Sequence, residues 1–206
     1  MSMESGSRRS FIAIGGTVLS AVLAACGGSG AQPSPEPGDP SMAGSSTSQD
    51  SSTVEIANPK DVTAIDVCDL LPDSAASSLG MKPEGERKSN GLKESLPDAC
   101  VWEDPDDGGS KISLTAIDGR SIQVYYDNRS TYQDFEKINV EGYPAVRANK
   151  ISSENLGSCN IFLGVNQKQV VMTRVRLNNE ETGAVNPCDR AKRALELSVS
   201  SWPDAE

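Results

Sequence analysis

Four of the five cysteines, Cys68, Cys100, Cys159 and Cys188, are scattered over the last 146 residues of this chain with no Cys-x-x-Cys pair among them, and the sequence contains no histidine. Structural zinc sites use closely spaced cysteine pairs and usually histidine, so this spacing points away from a metal and toward two disulfides in an oxidising compartment. Four cysteines allow three connectivities, and spacing does not choose among them. Sequence order, with each half of the domain closing its own loop, favours Cys68 with Cys100 and Cys159 with Cys188. Two such crosslinks limit the accessible folds more than any local propensity does.

The compartment is read from the first 25 residues. Arg8 and Arg9 precede an apolar run from Phe11 to about Ala25 that ends in small residues, the three parts of an export signal. About 15 residues at 1.5 Å each fall short of a hydrocarbon core of roughly 30 Å, so the run is a signal and not a span. Its end, Leu23-Ala24-Ala25-Cys26, resembles a bacterial lipobox. That resemblance implies a diacylglyceryl group on the Cys26 thiol, cleavage just before it, and a chain held at the cell membrane on its extracytoplasmic face. Ser7-Arg8-Arg9-Ser10-Phe11-Ile12 also resembles the twin-arginine export motif, against the plainer reading of a positive n-region.

Each buried methylene contributes about 0.8 kcal/mol, so one acyl chain holds weakly and two hold stably. Removing residues 1–25 takes away two of the 19 basic and one of the 29 acidic residues, and 17 minus 28 leaves a net charge of −11. Phosphate backbones and anionic headgroups repel such a surface, which excludes nucleic acid as an expected partner and leaves membrane affinity to the lipid. Residues 26–60 read as the lipidated cysteine and a disordered tether, because Gly27 to Lys60 holds 5 Gly, 8 Ser and 5 Pro in 34 residues and no aromatic. A flexible chain of that length reaches roughly 30 Å. Residues 61–206 are expected to form one extracytoplasmic domain.

Within that domain, "VCDLLPDSAASSLGM" suggests a turn and then a helix starting near Pro72 and stopping at Gly80. "KISLTAIDGRSIQVYYD" alternates Ile112, Leu114, Ala116 with Ile122, Val124, Tyr126 about Asp118-Gly119, which predicts a hairpin. "INVEGYPAVRAN" predicts two strands turning at Glu141-Gly142, and "CNIFLGVNQKQVVMTRVRL" a longer pair turning at Asn166-Gln167. The last element is a helix, with Asn186 as cap, Pro187 at the first position, and Cys188, Ala191, Leu195, Val199 and Trp202 along one stripe. The expected fold is therefore α+β, an antiparallel sheet with two helices packed on one face and stabilised by disulfides.

"VCDLLPDSAASSLG", "ACVWEDP", "CNIFLGV" and "NPCDRAKRALELSVSSWP" resemble, in that order, the four cysteine-centred blocks of the actinobacterial cell-surface lipoproteins catalogued as domain of unknown function 3558. The lipobox, the Ser/Pro tether and "GYPAV" fit the same pattern. Leu71 departs from it, standing where a Thr or Ser would more usually cap the first helix. The resemblance implies an α+β sandwich, an extracytoplasmic address and two disulfides, and brings no catalytic residues.

The absence of histidine removes Ser-His-Asp and Cys-His chemistry, and no phosphate loop or dinucleotide fingerprint is present. "EDPDDGG", Glu103 to Gly109, lacks the alternating pattern and distal Glu of a calcium loop and reads as a polar turn. Asn128-Arg129-Ser130 reads as a loop, and Trp102 and Trp202 as core closures rather than a sugar platform. No cofactor or metal is expected. Two function classes remain: a tethered module binding a small ligand or a partner protein of the envelope, and a histidine-free hydrolase of envelope polymers using a carboxylate pair drawn from Asp104, Asp106, Asp107 or Glu141.

Overall fold

Fully buried side chains recur at every second residue along β2 (Ala99–Glu103), β6 (Ser158–Gly164) and much of β3 (Lys111–Asp118) and β7 (Gln169–Arg176), as a sheet with unlike faces requires. The computed structural model describes residues 54–89, 97–106, 109–153 and 156–206. The export signal, Cys26 and the tether as far as residue 53 lie outside the described residues. The strands are β1 (Glu86–Lys88), β2 (Ala99–Glu103), β3 (Lys111–Asp118), β4 (Asp134–Val140), β5 (Tyr143–Asn149), β6 (Ser158–Gly164) and β7 (Gln169–Arg176). They form one antiparallel sheet in the order β1-β2-β3-β7-β6-β5-β4. Two meanders, β1 to β3 and β4 to β7, thus meet where β3 pairs with β7 over eight residues, from Lys111↔Arg176 to Asp118↔Gln169.

The β4–β5 turn takes Glu141 and Gly142 through φ values of 50° and 88°, the positive pair that a two-residue hairpin turn demands. Asn139 Oδ1 accepts from the Gly142 amide at 2.9 Å and fixes it. Between β6 and β7 the Asn166 side chain accepts from the Lys168 amide at 2.8 Å.

The expected hairpin about Asp118-Gly119 does not form. Gly119 does turn the chain at φ 69°, but β3 pairs with β7 instead, and Arg120 donates its amide to Lys168 O at 2.8 Å. Residues Gln123–Asp127 then coil into a short helix, α2. Its buried pair is Ile122 and Tyr125, three apart, whereas Val124 is 44% exposed. The period-two pattern was that of a helical turn too short to reveal its own period.

Helix α1 (Asp73–Ser78) follows Pro72, which stands at the cap position without a side-chain hydrogen bond. Helix α3 (Pro187–Ser198) starts with Asn186 accepting from the Cys188 and Asp189 amides at 2.8 and 3.3 Å. Ala75 and Ala76 of α1 and Ala191, Ala194 and Leu195 of α3 join Ile112, Leu114, Ile161, Leu163 and Val175 of the sheet in the larger of two cores. The smaller core, Ile122, Tyr125, Val146, Ala148 and Val170, lies on the other side of the sheet under α2. Helices therefore stand on both faces.

The bridges join Cys68 to Cys100 and Cys159 to Cys188, closing one loop in each half. The first ties the 3₁₀ turn Val67–Leu70 to β2, and the second ties the start of α3 to β6. The indole of Trp202 donates to Leu70 O at 2.9 Å, so the end of the chain locks the same turn, and Trp102 is fully buried beside the first bridge.

Hydrogen bonding to the sheet begins before Asp61. Gln167 donates to Val54 O at 2.7 Å, Tyr143 Oη donates to Asn58 O at 2.6 Å, and Lys60 donates its amide to Val165 O at 2.9 Å. Gln169, almost buried, accepts from the Val62 amide at 3.1 Å and donates to Asp61 at 3.0 Å. Composition does not reveal this segment, because backbone and single polar groups hold it and only two apolar side chains, Val54 and Ile56, pack against the cores.

Candidate functional site

Strand alternation divides the side chains of the central sheet between its faces. Cys159, Ile161 and Leu163 of β6 and Val171, Thr173 and Val175 of β7 turn toward α3. Asn160, Phe162, Met172 and Arg174 point the other way. Register sets Thr115, Met172 and Phe162 in one row across that second face, and Ser113, Arg174 and Asn160 in the next.

Helix α2 covers only one end of this face. The Tyr125 ring stacks on Phe162 with centroids 4.1 Å apart. Gly164 permits the approach, since a Cβ there would lie 2.8 Å from Ile122 Cβ and 3.0 Å from its Cγ2. Beyond α2 no described residue covers the face, which forms a trough of about 580 Å³ with Ile117, Ala148, Phe162 and Met172 among its apolar lining and Tyr132 on its wall. This size lies within the range of small-molecule sites.

Three cations, Arg120, Lys150 and Arg174, also line the trough, and none has an ion pair with a carboxylate among the described residues. In a chain of net charge −10 that is a local inversion of sign. Arg120 lies 5.9 Å from the Tyr125 ring centroid and donates to its hydroxyl at 3.4 Å, so it is held over the aromatic wall.

Arg174 is aimed by a hydrogen-bonded chain that starts on β4. Asp134 accepts from Arg147 Nε at 2.7 Å, from Ser153 Oγ at 2.8 Å and from Asn149 Nδ2 at 3.0 Å. Burial alone would raise the Asp134 pKa, but these donors outweigh it and hold the carboxyl below its ordinary value. Asn149, itself buried, accepts through Oδ1 from Asn160 Nδ2 at 2.9 Å and from the Asn160 amide at 2.8 Å. The Asn160 side chain then has its Oδ1 free to accept from Arg174 Nε at 2.8 Å. That bond uses one of five guanidinium donors and leaves the two NH₂ groups for a ligand.

The residues singled out from sequence lie elsewhere. The four bridged cysteines and both tryptophans stabilise the larger core. Asp104 accepts from the Asp106 amide at 2.8 Å in a polar turn, and Asp107 is outside the described residues. Asn128 closes α2, its side chain donating to Val124 O at 2.7 Å. Glu141 lines a different cavity of about 540 Å³, together with Tyr143, Lys60 and Asp204.

The trough residues went unnoticed in the sequence because they come from separate stretches spread from Pro97 to Arg174. One signal was available: Phe162 and Met172 are large apolar side chains at positions of β6 and β7 that alternation assigns to the outer face.

No curated protein matches the chain. Among solved structures, a protein of Bacteroides thetaiotaomicron VPI-5482, determined by crystallography at 1.50 Å, is similar with a TM-score of 0.37 and 7% identity, over 56% of this chain and 42% of that one. A family model described as protein of unknown function (DUF3558) matches residues 21–201, most of the chain, and the chain belongs to that family.

Proposed function

We propose that the protein is an extracytoplasmic lipoprotein, anchored in the cell membrane through Cys26, whose domain binds a ligand of the envelope in the trough beside α2 and does not turn it over. The observation that carries this reading is an open apolar floor rimmed by Arg120, Lys150 and Arg174, three cations without a carboxylate partner among the described residues. Three exposed cations converging on an apolar hollow suit recognition of a ligand that is apolar in one part and negatively charged in another. Tethering adds to this. A flexible link holds a domain near membrane or wall components at an effective concentration that reaches millimolar for short linkers, so weak intrinsic affinity suffices.

The hydrolase alternative would draw on Glu141 and Asp204, which share a cavity lining, although Asp204 is taken up by Lys60 at 2.6 Å. The two readings separate on the full, membrane-extracted chain incubated with envelope polymers and lipid extracts. Saturable retention without product, lost in Arg174→Gln, supports binding. Steady release of cleaved product, abolished by Glu141→Gln, would replace it with the enzyme. The anchor has its own readout: Cys26→Ala is expected to leave the membrane fraction, and its retention there would refute the lipid attachment.

A further inference from the structure

We infer that the ligand of the trough is a flat apolar acid, a ring system bearing one carboxylate or phosphate that Arg174 and Lys150 clasp above Asn160. The inference rests on the trough being the binding site.

Register places the clasp. Arg174 of β7 pairs with Asn160 of β6, and Lys150 directly follows Asn149, whose side chain holds Asn160 from the β5 side. Arg174 and Lys150 thus flank β6 at two strand spacings, with Lys150 two residues farther along by the β5–β6 register, roughly 12 Å between backbones, and two long side chains close that gap on one anion. Two hydrogen bonds to Asn149 hold Asn160, and its Oδ1 in turn orients the Arg174 guanidinium before any ligand arrives, which lowers the ordering cost of binding.

The floor sets the rest of the molecule. From Arg174 to Val170, where α2 closes the face, the strand advances roughly 13 Å, and the side chains between are the Met172 thioether and Phe162, one face of whose ring is taken up by Tyr125. Such a lining favours rings: aromatic edges and a thioether sulfur both make favourable contacts with a π face. A neutral ligand would desolvate three cations without compensation, and a cationic one would be repelled. A protein segment is the poorer fit, because α2 blocks one end and a stable protein interface needs about 800 Å² per partner.

The test uses the full, membrane-extracted chain with labelled methyl groups, and biphenyl carboxylate, biphenyl phosphate and biphenyl carboxamide as probes. Resonances of the Met172 ε-methyl and Ile117 δ-methyl report occupancy of the floor. Saturable shifts are expected with at least one acid at a Kd about tenfold below that of the carboxamide, and the tighter acid identifies the head group. Arg174→Gln and Lys150→Gln are each expected to weaken that acid about tenfold and so to abolish its advantage over the carboxamide, as loss of a charge-assisted hydrogen bond predicts. Both side chains are exposed, so the variants fold, and an unaltered methyl spectrum without ligand confirms it. Equal affinity for acid and carboxamide would overturn the clasp while the binding role stands. No methyl shift with any probe would overturn the inference, and if Arg174→Gln then still retained the envelope ligand, the trough would fall with it.

Discussion

Gly164→Ala is the most informative single change in this fold, because one added carbon tests whether α2 is seated on the sheet. The new Cβ would lie 2.8 Å from Ile122 Cβ, and real Cβ atoms almost never approach that closely. The nearest atom is a backbone-attached carbon rather than the flexible end of a side chain. Residues 121–127 must therefore lift as a unit. Overpacking of this kind costs about 1–3 kcal/mol, and the entropy that Ala removes from the unfolded chain returns about 0.4–1. The net destabilisation lies between about 0 and 2.6 kcal/mol with its middle at ~1.3, which is roughly 3–5 °C in Tm for a domain of this size. Urea denaturation of the wild type and variant measures it. Trimming Ile122 to Ala in the same chain is expected to restore little, since the clashing Cβ remains. A Gly164→Ala protein more stable than the wild type by the whole entropy gain of about 0.4–1 kcal/mol, with no overpacking cost against it, would refute the close seating of α2, and with it the closed end of the trough.

Asp134→Asn is expected to lower stability by about 1.5–3 kcal/mol at neutral pH, because the carboxylate accepts from Ser153, Asn149 and Arg147. The Asp134 pKa is lowered in the folded state, so its contribution is fully present above the unfolded value of about 3.9 and is lost as pH falls through the folded one. Urea midpoints measured from pH 7 down to pH 3 should show the gap between wild type and variant closing; a gap independent of pH would contradict this. Asn186→Ala removes the cap of α3 and should cost about 1 kcal/mol in the same assay. Replacing Cys68 and Cys100 together by Ser opens a loop with sequence separation 32 and should cost about 3–4 kcal/mol, with an unchanged midpoint as the contrary result.

What the sequence discloses about this fold follows from how local each signal is. Helix α3 is legible because Asn186, Pro187 and a stripe over three turns act within one segment. The β4–β5 and β6–β7 hairpins are legible because each joins neighbours in sequence. The β3–β7 pairing is not, because nothing in residues 111–118 names a partner some 60 positions away, and a nearer candidate at 122–126 imitates a strand. The trough is least legible of all. Arg174 and Asn160 occupy the ordinary polar positions of amphipathic strands, and only the register that sets them side by side makes them a clasp.

The in-order bridges bear on how the protein acquires its oxidised form. For a chain delivered amino terminus first, Cys68 and Cys100 emerge as a pair before Cys159 and Cys188 follow. An oxidant that joins each thiol to the one before it makes the correct bonds without reshuffling, which otherwise takes seconds to hours. The seam between the meanders matures in the opposite sense. Strand β3 must wait with one edge unpaired until residue 176 has arrived, because its partner β7 is the last strand made. An unpaired edge of eight residues is an invitation to aggregate. The early Cys68–Cys100 bond keeps β2 fastened to the turn that β3 will pack beside, so the half that waits longest is the half that is crosslinked first.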